Sequence, residues 1–341
     1  MTTTTVHTIG VAGDYTTLQA WEDAAPANLV TSDVVWRGEL LESFSYATSG
    51  SLLSIGGSTQ DATRYKVLAP QSGLGFKDNA NKLTNALRAN SSNGVMISGS
   101  ANTYSNRVIT SSEPYARLEG LQIVSTSTGS GGVVQGVMMT DCIVEGAGIS
   151  ANATLFHTPQ PCTNTLFVLR TSTATTIGCI LSAGAGAVAD YVNCTFVVPS
   201  DFTAATYMVS QAYGTAMTFK NCAFFGATNV SLGTTSCTWT NCYTDAASPP
   251  TGCTTVAYDT STGSGFENIT DATRDFRIKT GSALKDNGTA TGAPAADIVG
   301  TTRATVDVGV WEFTGGGGGG SPLPPISQFI LSNAAGRASI Y

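Results

Sequence analysis

The sequence predicts an all-β chain wound as a single right-handed parallel β-helix, with a short N-terminal capping helix and a flexible C-terminal tail. Three observations predict it. From Ser32 onward the chain runs as short apolar stretches such as YKVLAP, GVMISG, NRVITS, RLEGLQIVS and TLFVLRT, separated by Gly, Asn, Ser and Thr. That texture means many short strands joined by turns. One step then recurs, an Asn-Cys or Asp-Cys pair with an apolar residue shortly before it: MTDCIV, YVNCTF, FKNCAFF and WTNCYT. Repetition at intervals of twenty residues or more marks a coil that stacks on copies of itself. Finally, only 11% of the 341 residues are charged, far below the usual quarter, which leaves a neutral surface rich in hydroxyl groups.

The N-terminal segment, residues 1–29, carries the one stretch with helical character, GDYTTLQAWEDAAP. Thr16 with Gln19 makes a capping-box pattern, Leu18, Trp21 and Ala25 share a face, and Pro26 ends the helix. An ordinary amphipathic helix accounts for this. The alternative is a plug on the first coil of a solenoid, where it would cover an open apolar core and unpaired strand edges.

The solenoid is assigned to residues 30–313. Placing Gly120, Cys142, Cys179, Cys194, Cys222 and Cys242 in one register gives steps of 22, 37, 15, 28 and 20 residues. Three of these fit one coil, 37 leaves room for a longer loop, and 15 is too short for a coil. Met139, Tyr191, Phe219 and Trp239 stand three residues before a Cys and are expected to stack at the strand spacing of ~4.8 Å. In this reading the Cys side chains form an internal ladder of reduced, buried thiols, and the preceding Asn hydrogen-bonds along the stack at a tight bend. Zinc would need close Cys pairs, and only Cys237 and Cys242 lie that near in sequence. A disulfide joining Cys237 to Cys242 or Cys253 remains the competing pairing. No cofactor and no metal are expected.

The segment DFRIKTGSALKDNGTATGAPAADIVGTTRATVDVGVWEF adds more than rhythm. Asp275-Phe276-Arg277, Gly281-Ser282, Asp286 to Gly288, Asp297 to Arg303, and Val306-Asp307 to Glu312 resemble the closing signature of many right-handed parallel β-helix proteins. SALKDNG and VGVW depart from the pattern usual there. The opening TIGVAGDYTTLQAWEDAAP is similar to the entry of β-helix proteins of the pectate-lyase-like fold common in bacteriophage genomes. The resemblance implies the fold and carries no activity of its own.

Many proteins of that fold cleave acidic polysaccharides, an activity that needs carboxylates placed together on neighbouring coils. The central coils hold few carboxylates: Asp141, Glu145, Asp190, Asp201 and Asp245. Asp141 and Asp190 fit turn capping. Glu113 and Glu119 form the one close acidic pair of the early coils and fit a solvated strand edge. Arg277-Ile-Lys279 imitates a substrate-gripping Arg-x-Lys, but the partner motifs of the hydrolases are absent and it lies inside the closing signature. Of the two histidines, His7 and His157, the second fits a loop or a satisfied core position. No nucleophile elbow, Walker loop or HExxH helix occurs.

A net charge of −7 without a Lys/Arg cluster argues against nucleic acid and anionic membranes as partners. The stretch Thr171 to Ala189, free of Asp, Glu, Lys and Arg, is broken by Gly and Thr and reads as loop and strand, so no membrane span is expected. The start MTTTTVHTIG has neither the basic nor the apolar region of a signal peptide. A chain of extracellular texture without an export signal fits a virion protein made in the host cytoplasm and released by lysis.

Past Phe313 the texture changes. Residues 314–325 are a linker in which Gly315 to Gly320 give a flexible tether and Pro322, Pro324 and Pro325 stiffen the exit. Residues 326–341 carry Ile326, Phe329, Ile330, Leu331, Ile340 and Tyr341, expected to bind a partner by strand addition or groove insertion. The competing expectation is that this peptide folds back on its own solenoid. The sequence thus favours a non-enzymatic structural protein on a bacteriophage particle, as capsid decoration or as a short fibre or spike component. Its expected partners are other virion proteins, with host surface glycan and a homotrimer as further candidates. The alternatives are a polysaccharide-binding or polysaccharide-cleaving tailspike-like enzyme and a bacterial surface adhesin.

Overall fold

The computed structural model describes residues 2–46, 52–100, 107–126, 132–147, 155–157, 160–170, 180–182, 188–202, 205–211, 216–232 and 237–314. Its strands wind repeatedly through three parallel sheets. The first sheet runs from Thr3–Ile9 through Val34–Leu40, Lys66–Pro70, Arg117–Glu119, Met138–Thr140, Cys162–Thr163, Val188–Val192 and Ala216–Lys220 to Cys237–Thr240. The second runs from Phe44–Tyr46 to Cys253–Thr255, and the third from Leu53–Ile55 to Ala227–Leu232. From Val34–Leu40 to Ala227–Leu232 each coil visits the first, second and third sheet in turn. The chain is a parallel β-helix.

The recurrent Asn-Cys step is the corner between the first and second sheets. Gly120, Asp141, Asn164, Asn193, Asn221 and Asn241 all sit there with φ between 48° and 64°. That left-handed region is cheap for Gly and tolerable for Asn and Asp, which is why these three residue types recur at the corner. The register therefore differs from the expected one in two ways. Gly120 aligns with Asp141 rather than with Cys142, and the coil assigned to Cys179 turns instead at Asn164-Thr165. Corner residues then follow one another at 20 to 29 residues, and the 15-residue step disappears. Cys179 lies outside the described residues.

Inside the corner, like stacks on like. Met139, Cys162, Tyr191, Phe219 and Trp239 are register partners on successive rungs. Ring centroids are 4.9 Å apart for Tyr191–Phe219 and 4.4 Å for Phe219–Trp239. A second pile, Phe167–Phe196–Phe224, repeats at 4.8 Å and meets the first edge-on. The residue after each corner points into the angle between two sheets: Leu121 fills it on the coil of Gly120, and from Asp141 onward the position is taken by a smaller side chain. Cys142, Cys194, Cys222 and Cys242 fill it, fully buried and unbridged. Each thiol donates a weak hydrogen bond to the carbonyl of the pile residue one coil earlier: Leu118, Cys162, Tyr191 and Phe219, at 3.4 to 3.5 Å. Cys237 and Cys253 are also free and half-buried.

The helix does plug the first coil, though it is shorter than expected. It spans Leu18–Asp23, and its N-cap is Thr17, whose Oγ1 accepts from Ala20 N at 3.1 Å. Gln19 serves a different purpose from the expected capping box. Its amide accepts from Ser54 N and donates to Ser54 O, occupying the open edge of the first strand of the third sheet. Trp21 is fully buried beneath Gly38, where a Cβ would stand 2.7 Å from the indole Cε2. A second short helix, Leu29–Ser32, is capped by Asn28. The N-terminal segment also contributes the first strand, Thr3–Ile9, to the solenoid.

The closing signature lies along the outside of the stack. Phe266, Phe276, Ile278, Leu284, Ile298, Val308, Val310 and Trp311 pack on the outward residues Ile143, Leu166, Val168, Val197, Ala223 and Phe225 of the second sheet. This sheet is therefore buried on both faces, which explains its unbroken apolar strands such as LFVLR and AFF. The insertion 71–95 joins this outer core through Phe76 and Leu87.

The corner asparagines fasten the segment down. Asn193 Nδ2 donates to the carbonyls of Asp307 (2.9 Å) and Gly309 (3.2 Å). Asn221 exchanges bonds with Thr289, donating at 2.9 Å and accepting at 2.8 Å. Asn164 donates to Ala296 O at 2.8 Å. Along the stack itself, Asn221 Nδ2 reaches Asn193 Oδ1 at 3.2 Å and Asn164 Nδ2 reaches Asp141 Oδ1 at 3.1 Å. The charged signature residues make a buried network in which Arg303 pairs with Glu312 at 3.0 Å, while Asp297 accepts from the N–H groups of Val299, Thr301 and Glu312.

Candidate functional site

The outer face of the third sheet bears a cavity of about 400 Å³ lined by Ser54, Thr110, Ser111, Ser112, Glu113, Pro114, Gln135, Gly136 and Gln160. Parallel register builds it, because Ser54, Thr110 and Gln135 are successive partners across adjacent rungs. Among the described residues, the hydroxyls of Thr110 and Ser112 and the amides of Gln135 and Gln160 carry no intramolecular hydrogen bond, so they are free to meet a ligand.

Glu113 is the one ionisable side chain in the lining, and it belongs to the fold. Lys66, 1% exposed, lies between the carboxylates of Glu22 and Glu113, with Glu113 Oε1 at 3.2 Å. Gly56 O accepts a further bond from Lys66 at 2.9 Å, and Ser58 N donates to Glu113 at 2.6 Å. The expectation of a solvated Glu113–Glu119 edge is thus corrected. Glu113 is buried and paired with Lys66, whereas Glu119 is partly exposed and pairs with Arg37 at 3.2 Å.

The other candidate groups are spread through the fold. Asp141 pairs with Lys77 at 3.0 Å, Glu145 with Arg274, and Asp201 accepts from Asp271 N at 2.8 Å. Asp190 bonds to Thr218 on the next rung, so it bridges strands rather than capping a turn. Asp245 takes the Gly226 N–H on both oxygens at 3.1 Å, and burial raises its carboxyl above the ordinary value. His157 occupies a strand, half-buried, and burial with the nearby Arg107 depresses its imidazole to about 4, which keeps it neutral near pH 7. Arg277 is tied to Asp275 within the closing segment.

The expected partner-binding residues Ile326, Phe329, Ile330, Leu331, Ile340 and Tyr341 lie outside the described residues. Among the described residues, no group of three or more His, Cys, Asp or Glu side chains is placed to hold a metal ion, and no helix is long and apolar enough to cross a membrane. Sequence reasoning missed the cavity and the Lys66 cluster, whose members stand 44 and 47 residues apart in the chain. The class defined by this architecture is a strapped parallel β-helix whose third sheet bears a hydroxyl- and amide-lined groove. Comparison with family models, curated proteins and solved structures gives no match.

Proposed function

We propose that the chain is a non-enzymatic structural protein of a bacteriophage virion, a β-helix displayed on the particle surface and attached through residues 326–341. The observation that carries the non-enzymatic part is the fate of the central carboxylates. Asp141, Glu145, Asp190, Asp201 and Asp245 each hold a neighbouring strand, loop or cation. Hydrolysis of a glycoside needs two carboxyl groups facing one bond, and a lyase needs a cation site beside a base. The hydroxyl-rich, charge-poor composition supports a place on a particle exposed to the medium.

Mass spectrometry of purified particles, with copy number, is the test. Many copies per particle fit capsid decoration, a few fit a fibre or spike component, and absence rejects the reading. A chain ending at Thr314 should fold, since the strap closes by Phe313, yet fail to join particles. Its normal incorporation would move the contact surface onto the coils.

A second reading, binding of a surface glycan, is favoured by the groove over Thr110, Gln135 and Gln160. Its free hydroxyls and amides are the groups that exchange hydrogen bonds with a polyol. Glycan-array binding lost in Gln135→Ala would support it, and binding unchanged in that variant would reject it.

A further inference from the structure

The first strand, Thr3–Ile9, ends the first sheet and pairs with Val34–Leu40 on one side. Thr3 N donates to Asp33 O at 3.0 Å and Leu41 N to Ile9 O at 2.9 Å. Odd residues of the strand therefore turn their backbone groups toward that neighbour, and Thr4, Val6 and Thr8 turn theirs outward. Thr8 is already blocked, because its N–H donates to Asp14 Oδ2 at 2.8 Å and its carbonyl accepts from Tyr15 N at 3.1 Å. Thr4 and Val6 have no backbone partner on that side among the described residues.

Open strand edges are commonly guarded by charges, proline or a bulge. Thr2 to Val6 has none of these: the stretch is uncharged, and its pairing with the neighbour runs without a register shift. The cap does guard the third sheet, through Gln19 on Ser54. On the unguarded edge itself Val6 is an exposed apolar side chain, at 50%.

We propose that this edge pairs with the same edge of a second copy of the chain. An antiparallel partner about a twofold axis at Thr5 sets Thr4 opposite Val6 of the second copy. Each residue then exchanges one N–H and one carbonyl with its opposite, giving four hydrogen bonds and covering Val6. The occupant is a second copy because the edge is self-complementary: it offers one donor and one acceptor at each of two positions related by that axis, and no charge that would call for a different partner. The result is a head-to-head dimer, independent of how the chain meets a particle.

Sedimentation velocity on the full chain over a concentration series tests this. Wild type should shift from monomer to dimer, with slowed amide exchange in the peptide covering Thr4 and Val6. Val6→Pro removes an outward N–H at an edge position, where proline is tolerated, and should abolish the dimer while leaving the melting temperature unchanged at dilutions where wild type is also monomeric. Val6→Lys leaves the backbone untouched and should weaken the dimer by at least tenfold at low salt through like charges across the axis. A monomer at every concentration, a trimer or larger assembly, a dimer persisting in Val6→Pro, or an undiminished dimer affinity in Val6→Lys overturns the proposal.

Discussion

Trp21 and Gly38 offer the sharpest test of how the solenoid is closed. The indole is fully buried and lies against the space Gly38 leaves by lacking a side chain. A Cβ on residue 38 would stand 2.7 Å from Trp21 Cε2 and 2.8 Å from Ile9 Cδ1, closer than packed atoms come. Gly38→Ala alone should therefore cost about 1–3 kcal/mol through overpacking. Trp21→Ala alone should cost about 3–5 kcal/mol, since it opens a large cavity and removes a buried aromatic surface. With the ring gone the added methyl has room and fills part of the void. The double variant should thus be no less stable than Trp21→Ala by itself, a coupling of about 1–3 kcal/mol in the stabilising direction. Urea unfolding of the four chains, with a common m value, measures it. Strictly additive losses would show that the indole does not seat against this coil and would refute the plug.

Three further outcomes are expected. Lys66→Met leaves Glu22 and Glu113 buried without their cation and should cost about 3–5 kcal/mol in urea unfolding, whereas a near-normal midpoint would mean that the cluster is solvated. Burial raises the Asp245 carboxyl, so the folded chain binds more protons than the unfolded one between the ordinary carboxylate value and the raised one. Stability from this group falls as pH rises through that window, so the melting temperature of Asp245→Asn relative to wild type should climb from acid to neutral pH; a difference that ignores pH would contradict the sign. Alkylation of the native chain should label Cys237 and Cys253 first. Burial pushes the Cys142 thiol up to about 12 and Cys237 to about 11, and Cys142, Cys194 and Cys222 should react only on unfolding. Early labelling of Cys194 or Cys222 would put the ladder at the surface.

The solenoid was legible because stacking copies side chains from coil to coil, so Tyr191, Phe219 and Trp239 announce their own alignment. The register erred where the cysteine was followed instead of the residue before it. The constraint is the left-handed backbone at Asn164 or Asn193, while the small residue after it tolerates Thr165 as well as Cys. LFVLR and AFF showed two buried faces in their lack of alternation, but not that Phe276 and Trp311 cover the outer one, because that contact joins residues far apart in the chain. The Lys66 cluster and the groove escaped for the same reason. Each draws on several coils whose relative heights are set by loop lengths that carry no readable pattern. The signature residues Asp297, Arg303, Asp307 and Glu312 stood out as a mark of fold, and the structure shows what they do physically, which is to hold a coilless segment in shape against the corner asparagines.

That segment changes the kind of object the molecule is. A bare stack in which each rung touches only its two neighbours is a one-dimensional array that can fray from either end, one rung at a time. Here a single stretch from Phe266 to Trp311 runs across the rungs bearing Ile143, Leu166, Val197 and Phe225 and grips Asn164, Asn193 and Asn221 as it passes. Melting any middle rung must loosen this seam, and loosening the seam strips shelter from several rungs together. Unfolding should then be a single cooperative event rather than a progressive unzipping. The seam follows the rungs in the chain, so during synthesis the stack is held by nearest-neighbour contacts alone and becomes one unit when the last of these residues arrives.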